Sequence, residues 1–143
     1  MEIDSYLSLR KARRFGIIFL IYTIVLPFIV LLIPEDEFPA STGPIEAFSW
    51  LMLFLMPIEL LLLYISYRHF RKKPELRNIM GPAILMYTFA VIPSIYAFVI
   101  GFIGSNLRGI AIPLGLALSL IGFWFVWIFL PNLQENITRS DDY

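Results

Sequence analysis

Residues 79–103 read IMGPAILMYTFAVIPSIYAFVIGFI, a run of 25 residues without a single Asp, Glu, Lys, Arg or His. A helix rises about 1.5 Å per residue, so about 20 apolar residues are enough to cross the hydrocarbon core of a bilayer. The run exceeds that minimum. It therefore predicts a transmembrane helix, and the rest of the chain can be compared with it.

Three further apolar runs approach or exceed the same length: residues 15–33, 48–67 and 110–130. Among all the runs, only residues 48–67 contain an acid or base other than tyrosine, and it is Glu59. A soluble helical core is excluded, because helices that are apolar on every side leave no amphipathic helix to shield them from water. The sequence predicts an all-α integral membrane protein with one transmembrane domain, residues 1–143, folded as a bundle of four transmembrane helices with short loops.

The composition restricts the chemistry of the chain. It is 59% hydrophobic and 15% charged, whereas about 25% of an ordinary soluble domain is charged. Cysteine is absent and His69 is the one histidine, which excludes disulfides, thiolate metal sites, His-rich zinc sites and a haem held by two histidines of this chain. The 11 basic and 11 acidic residues cancel, so no overall field attracts nucleic acid. We expect no cofactor, no metal and no nucleic-acid partner.

The distribution of basic residues predicts the orientation. Four basic residues precede the first run and five lie in the loop 68–78, whereas the loop 34–47 has no Lys or Arg and the loop 104–109 has only Arg108. Basic loops stay on the cytoplasmic side of a membrane. We therefore predict a multi-pass protein of the cell membrane with both termini in the cytoplasm. The first run is longer than the core of a signal peptide, about 7 to 15 residues, and indicates an uncleaved anchor.

The basic loop also predicts contacts with lipid headgroups, because each basic side chain beside a transmembrane helix attracts anionic lipid by about 1 kcal/mol. Trp124 and Trp127 lie toward the cytoplasmic end of the last run, where aromatic belts are expected. The lipid bilayer is the first predicted partner. The residues expected to contact its headgroups are Arg68, Arg71, Lys72 and Lys73.

Small side chains predict how the helices pack. Lipid provides no hydrophobic force between helices, so close approach depends on small residues. In the third and fourth runs such residues recur at steps of three and four, which places each set on one helical face. The connection between these runs is short, so they are antiparallel neighbours whose small faces are expected to meet. The two sets are Ala90, Ser94, Ala97 and Gly101, and Ala111, Gly115, Ser119 and Gly122.

The first two runs are filled with bulky side chains and have small residues only near their ends. Such surfaces suit lipid, and they also suit a partner subunit that packs large side chains against large ones. The sequence leaves both interpretations open.

Prolines are frequent within the runs or at their first turns. An interior proline removes one backbone donor and leaves the carbonyl four residues earlier without its helical partner. In a bilayer that carbonyl needs a neighbouring hydroxyl or a water. These prolines indicate either tolerated bends or acceptors for an ion or proton: Pro27, Pro57, Pro82, Pro93 and Pro113.

Glu59 lies near the middle of its run, where insertion of an acidic side chain costs about 2.5 to 3.5 kcal/mol. No Lys, Arg or His lies in any of the runs. We expect a protonated carboxyl group bonded to Tyr22, Tyr87 or Tyr96, or a carboxylate paired with a cation of another subunit. The predicted polar site comprises Glu59, Tyr96, Tyr87 and Ser94. Its role is proton or ion handling, anchoring between helices or subunits, or none.

Two functions remain after these exclusions. The first is a small non-catalytic accessory subunit of a larger membrane complex of respiratory or transport type, with other membrane subunits as partners. The second is a small ion or proton transporter or channel, assembled as a homo-oligomer, in which Glu59 titrates. An enzyme is not predicted, because no nucleophile and base occur at a recognisable spacing.

Overall fold

Four α-helices make up most of the described chain. The computed structural model describes residues 2–34, 42–72 and 78–140, with side chains within residues 8–34, 42–72 and 78–136. Each helix contains a segment long and apolar enough to cross a membrane. The predictions of an all-helical chain and of four membrane-length helices are confirmed. The helices are α1 (Glu2–Leu31), α2 (Gly43–Arg71), α3 (Met80–Phe102) and α4 (Arg108–Ser140).

The helices differ in length from the apolar runs. α1 begins at Glu2 instead of residue 15, and α4 continues to Ser140 instead of ending at residue 130. α2 is extended at both ends, whereas α3 is one residue shorter at each end. Hydropathy reports only the part of a helix that can cross hydrocarbon, while helical hydrogen bonds continue into polar sequence. Pro131 consequently lies inside α4, which continues beyond it to Ser140.

The two ends of the bundle carry different contacts. At the end that holds the start of α1 and the end of α4, here the termini end, Leu133 packs in one cluster with Ala12 and Tyr67. The ring of Tyr67 also stacks on Phe129 with centroids 3.9 Å apart. These contacts lie on both sides of Pro131, so α4 is packed against the other helices before and after the proline. The opposite end, here the loop end, carries the α1–α2 and α3–α4 connections.

The helices are arranged as an elongated diamond. α3 and α4 contact each other and both of the remaining helices, whereas α1 and α2 make no contact with each other within the described residues. α3 and α4 therefore form the short diagonal, and α1 and α2 form the two tips. Burial follows this arrangement: half of the apolar segment of α3 is buried, compared with 22% in α1 and in α2.

The short diagonal is a seam of small residues. A Cβ atom added to Gly115 would lie 2.5 Å from the Pro93 carbonyl oxygen and 2.5 Å from the Ala97 Cβ. One added to Gly122 would lie 3.1 Å from the Ala90 Cα. All eight small residues of the two predicted faces are buried. Gly101 differs from the other two glycines, because a Cβ atom added to it would lie nearest to Val30 of α1.

Gly115→Ala is expected to destabilise the bundle by about 1 to 3 kcal/mol, because the new methyl group meets backbone that cannot move aside. Gly109→Ala is the matched control in α4, since nothing lies within 4 Å of its added Cβ. The measurement is reversible unfolding in sodium dodecyl sulfate, followed by circular dichroism. Equal stability of the two variants would contradict a close α3–α4 seam.

Candidate functional site

Glu59 lies on the face of α2 that is turned into the bundle. Its neighbours on that face, Met56 and Leu63, are fully buried, and Glu59 itself is 7% exposed. The Tyr96 hydroxyl of α3 donates a hydrogen bond of 3.1 Å to Glu59 Oε1. The carboxyl group therefore ties α2 to α3 inside the apolar segments of both helices.

The second carboxyl oxygen has a different environment. Glu59 Oε2 is buried and has no hydrogen-bond partner among the described residues. The apolar runs contain no Lys, Arg or His, so a charged carboxylate here would have one hydroxyl as its counterpart and no cation. Burial of an ion with so little compensation is unfavourable by several kcal/mol. The carboxyl group is therefore bonded at Oε1 and has no partner at Oε2 within the described residues.

The other tyrosines considered as partners lie elsewhere. Tyr22 of α1 is 60% exposed. Tyr87 of α3 is fully buried, but its ring contacts Phe19 of α1 and Phe123 of α4. Its hydroxyl group lies against Gly16 of α1 and has no hydrogen-bond partner among the described residues. The structure thus brings Tyr96, and neither Tyr87 nor Tyr22, to Glu59.

Ser94 forms a separate polar contact that joins three helices. Pro27 has no amide hydrogen, so the Thr23 carbonyl of α1 lacks its helical donor. The Ser94 hydroxyl donates a 2.6 Å hydrogen bond to that carbonyl. The Ser94 amide donates at 2.9 Å to the Ser119 hydroxyl of α4. Ser94 thereby satisfies the acceptor that Pro27 creates, and it holds α1 and α4 against α3.

Arg108 has a structural role that the sequence did not indicate. Its Nη2 donates to the carbonyl oxygens of Val30 at 2.6 Å and Ile33 at 3.1 Å, at the end of α1. A cation is stabilised at a helix C-terminus, where carbonyl groups lack helical partners. Glu46, in the first turn of α2, accepts from the Asn106 amide at 2.9 Å. These contacts fasten the loop end.

The basic residues expected to meet lipid lie at the termini end. Arg68, Arg71 and Lys72 are exposed at or just beyond the last turn of α2, where a planar surface could reach them. Lys73 lies outside the described residues. Within the part of the chain that the structure describes, no three His, Asp or Glu side chains cluster as a metal site would require.

The chain matches no protein-family model, no curated protein and no solved structure. Its function must therefore be inferred from its own contacts. Those contacts are the Glu59–Tyr96 hydrogen bond, the Ser94 junction and the Arg108 cap of α1.

Ser94→Ala is expected to destabilise the bundle by about 1 to 3 kcal/mol, since the Thr23 carbonyl is left without a donor. In a Pro27→Ala background the new amide supplies that donor, so the same change should cost at least about 1 kcal/mol less. Unfolding of the single and double variants in sodium dodecyl sulfate measures the difference. Thr88→Val is the control, because the Thr88 hydroxyl bonds only within α3, to the Ile84 carbonyl. Additive effects of the two changes would show that Ser94 does not compensate Pro27.

Proposed function

We propose that this chain is a small non-catalytic accessory subunit of a larger membrane complex of respiratory or transport type. It lies in the cell membrane with both termini in the cytoplasm. Support for the orientation comes from charge: Arg10, Lys11 and Arg14 of α1 are exposed at the termini end, as are the basic residues that end α2. The one basic residue at the loop end of the described chain, Arg108, is used to cap α1.

The accessory role is supported by a contrast between the polar contacts inside the bundle and the apolar side chains on its outer surface. Several polar side chains in the apolar segments bond to the chain's own helices, as Ser94, Glu59 and Thr23 do. The outward faces of α1 and α2 instead expose large apolar side chains, and the two helices stand at opposite tips of the diamond. A polypeptide partner that packs bulky side chains would gain contact area there without disturbing the internal polar contacts. The exposed set includes Phe15, Ile18, Ile21, Phe28, Trp50, Leu51, Phe54 and Leu61.

Site-specific photocrosslinking in the native membrane tests this role. A photoreactive residue at Phe54, which is 67% exposed on α2, or at Ile21, 56% exposed on α1, should form a discrete adduct with a different polypeptide. The control position is Ile121 on α4, which is also exposed but lies off the tips, and it should label lipid. Mass spectrometry identifies the adducts. Labelling of lipid alone at every position, or of a second copy of this chain, contradicts the accessory role.

A second candidate is proton handling by Glu59 in a homo-oligomeric transporter or channel. The observation that favours it is the buried Oε2, which has no partner in the described part of the chain. A protonated carboxyl group with one free oxygen can release its proton if a neighbouring chain or water reaches it. Tyr96 would then remain as the donor that stabilises the carboxylate.

Glu59→Gln separates the two candidates, because the amide keeps an acceptor for the Tyr96 hydroxyl but cannot titrate. A transporter should conduct protons in reconstituted vesicles as the wild type and lose that conductance in Glu59→Gln, with folding stability changed by less than about 1.5 kcal/mol. A pH-sensitive dye inside the vesicles reports the flux. If wild-type vesicles are no more permeable to protons than empty vesicles, the transport candidate is wrong.

A further inference from the structure

Arg13 of α1 is a cation that an aromatic ring holds in one position, and no acid among the described residues is its counter-ion. Its guanidinium lies over the indole ring of Trp127 of α4, with Cζ 5.6 Å from the ring centroid. The side chain is partly buried, and its Nε is fully buried without a hydrogen-bond partner among the described residues. The cation–π contact orients the guanidinium but gives its Nε–H no acceptor.

No acid of the described chain serves as the missing anion. Between Arg108 and Asn136 of α4 the one acid is Glu135, eight residues beyond Trp127, which is about 12 Å along the helix axis. α3 carries no acid. A partly buried cation with no anion among the described residues is unfavourable, and an anion from outside the fold would complete it.

The depth of the site identifies the anion. Arg13 stands just before the apolar run 15–33 of α1, and Trp127 stands near the end of the apolar run 110–130 of α4. If the apolar runs fill the hydrocarbon core, both residues lie at its edge, where lipid phosphates lie and where tryptophan is enriched. A guanidinium matches the planar, bidentate geometry of phosphate oxygens better than an ammonium does. Trp127 is 46% exposed, so one face of this pair is open to lipid.

We infer that Arg13 and Trp127 form a specific site for the phosphate group of one phospholipid, in the leaflet at the termini end. The site differs from the neighbouring positive charges of α1, because Arg10 and Arg14 are exposed and are not held by an aromatic ring. Its two residues belong to α1 and α4, so the basic residues that end α2 are not part of it. The inference needs the bundle to lie in a bilayer, but it holds equally for an accessory subunit and for a transporter.

Native mass spectrometry of the full chain, stripped of lipid in detergent and titrated with phosphatidylglycerol, tests the site. The wild type should retain one lipid at concentrations where further lipids have dissociated. Arg13→Ala should weaken that binding about tenfold through loss of the charge-assisted hydrogen bonds. Arg14→Ala, the adjacent residue with the same charge, should bind as the wild type does.

Arg13→Lys keeps the charge and the fold and changes only the shape of the donor, so it covers the case in which Arg13→Ala does not fold. It should bind the lipid more weakly than the wild type. Equal losses in the Arg13 and Arg14 alanine variants overturn the inference in favour of general charge attraction. Wild-type binding by Arg13→Lys overturns the requirement for a guanidinium. Displacement of the lipid by inorganic phosphate alone would show that the ligand is free phosphate, and would equally overturn a lipid site.

Discussion

A carbonyl oxygen inside a bilayer cannot accept a hydrogen bond from water. A proline within a transmembrane helix leaves one such carbonyl without its helical donor, so another group of the protein has to donate to it. Pro27 creates this need at Thr23, and the Ser94 hydroxyl meets it across the α1–α3 contact. The Ser94 amide then bonds to Ser119 of α4. One serine therefore fixes two other helices against α3, which is consistent with the central position of that helix.

The short reach of a serine side chain links this contact to the packing of the helices. Its hydroxyl lies next to its own backbone, so it meets another helix only where the two backbones nearly touch. Gly115 and Gly122 provide such an approach, since an added Cβ at either position would press on the backbone of α3. Bulky residues in the seam would separate the helices and leave Ser94 too far from Ser119. The small faces and the polar junction thus depend on each other.

Features that depend on local sequence could be predicted, and features that depend on the arrangement of helices could not. Apolar length identified four helices, and the spacing of small residues identified buried faces. The carbonyl group four residues before Pro27 belongs to Thr23, so the sequence identifies it as an acceptor without a helical donor. Nothing in the sequence indicates that Ser94 donates to it. The partner of Glu59 was equally open, because Tyr22 is out of reach only when α1 and α2 stand apart. The end of α4 was missed because Leu133, beyond Pro131, is held by tertiary contacts with α1 and α2.

Two arginines show why charge counting and structure answer different questions. A count of basic residues on each side of the membrane treats Arg108 as an exception to the positive-inside rule and Arg13 as one of many basic residues that follow it. In the structure Arg108 bonds to carbonyl groups at the end of α1, so its charge is used by the fold at a place where a cation is stabilised. Arg13 lies within α1, where the carbonyl groups of its own helix are already bonded, and it contacts an aromatic ring instead. Its Nε has no partner among the described residues, so the arginine that fits the charge rule is also the one inferred to bind an anion outside the bundle.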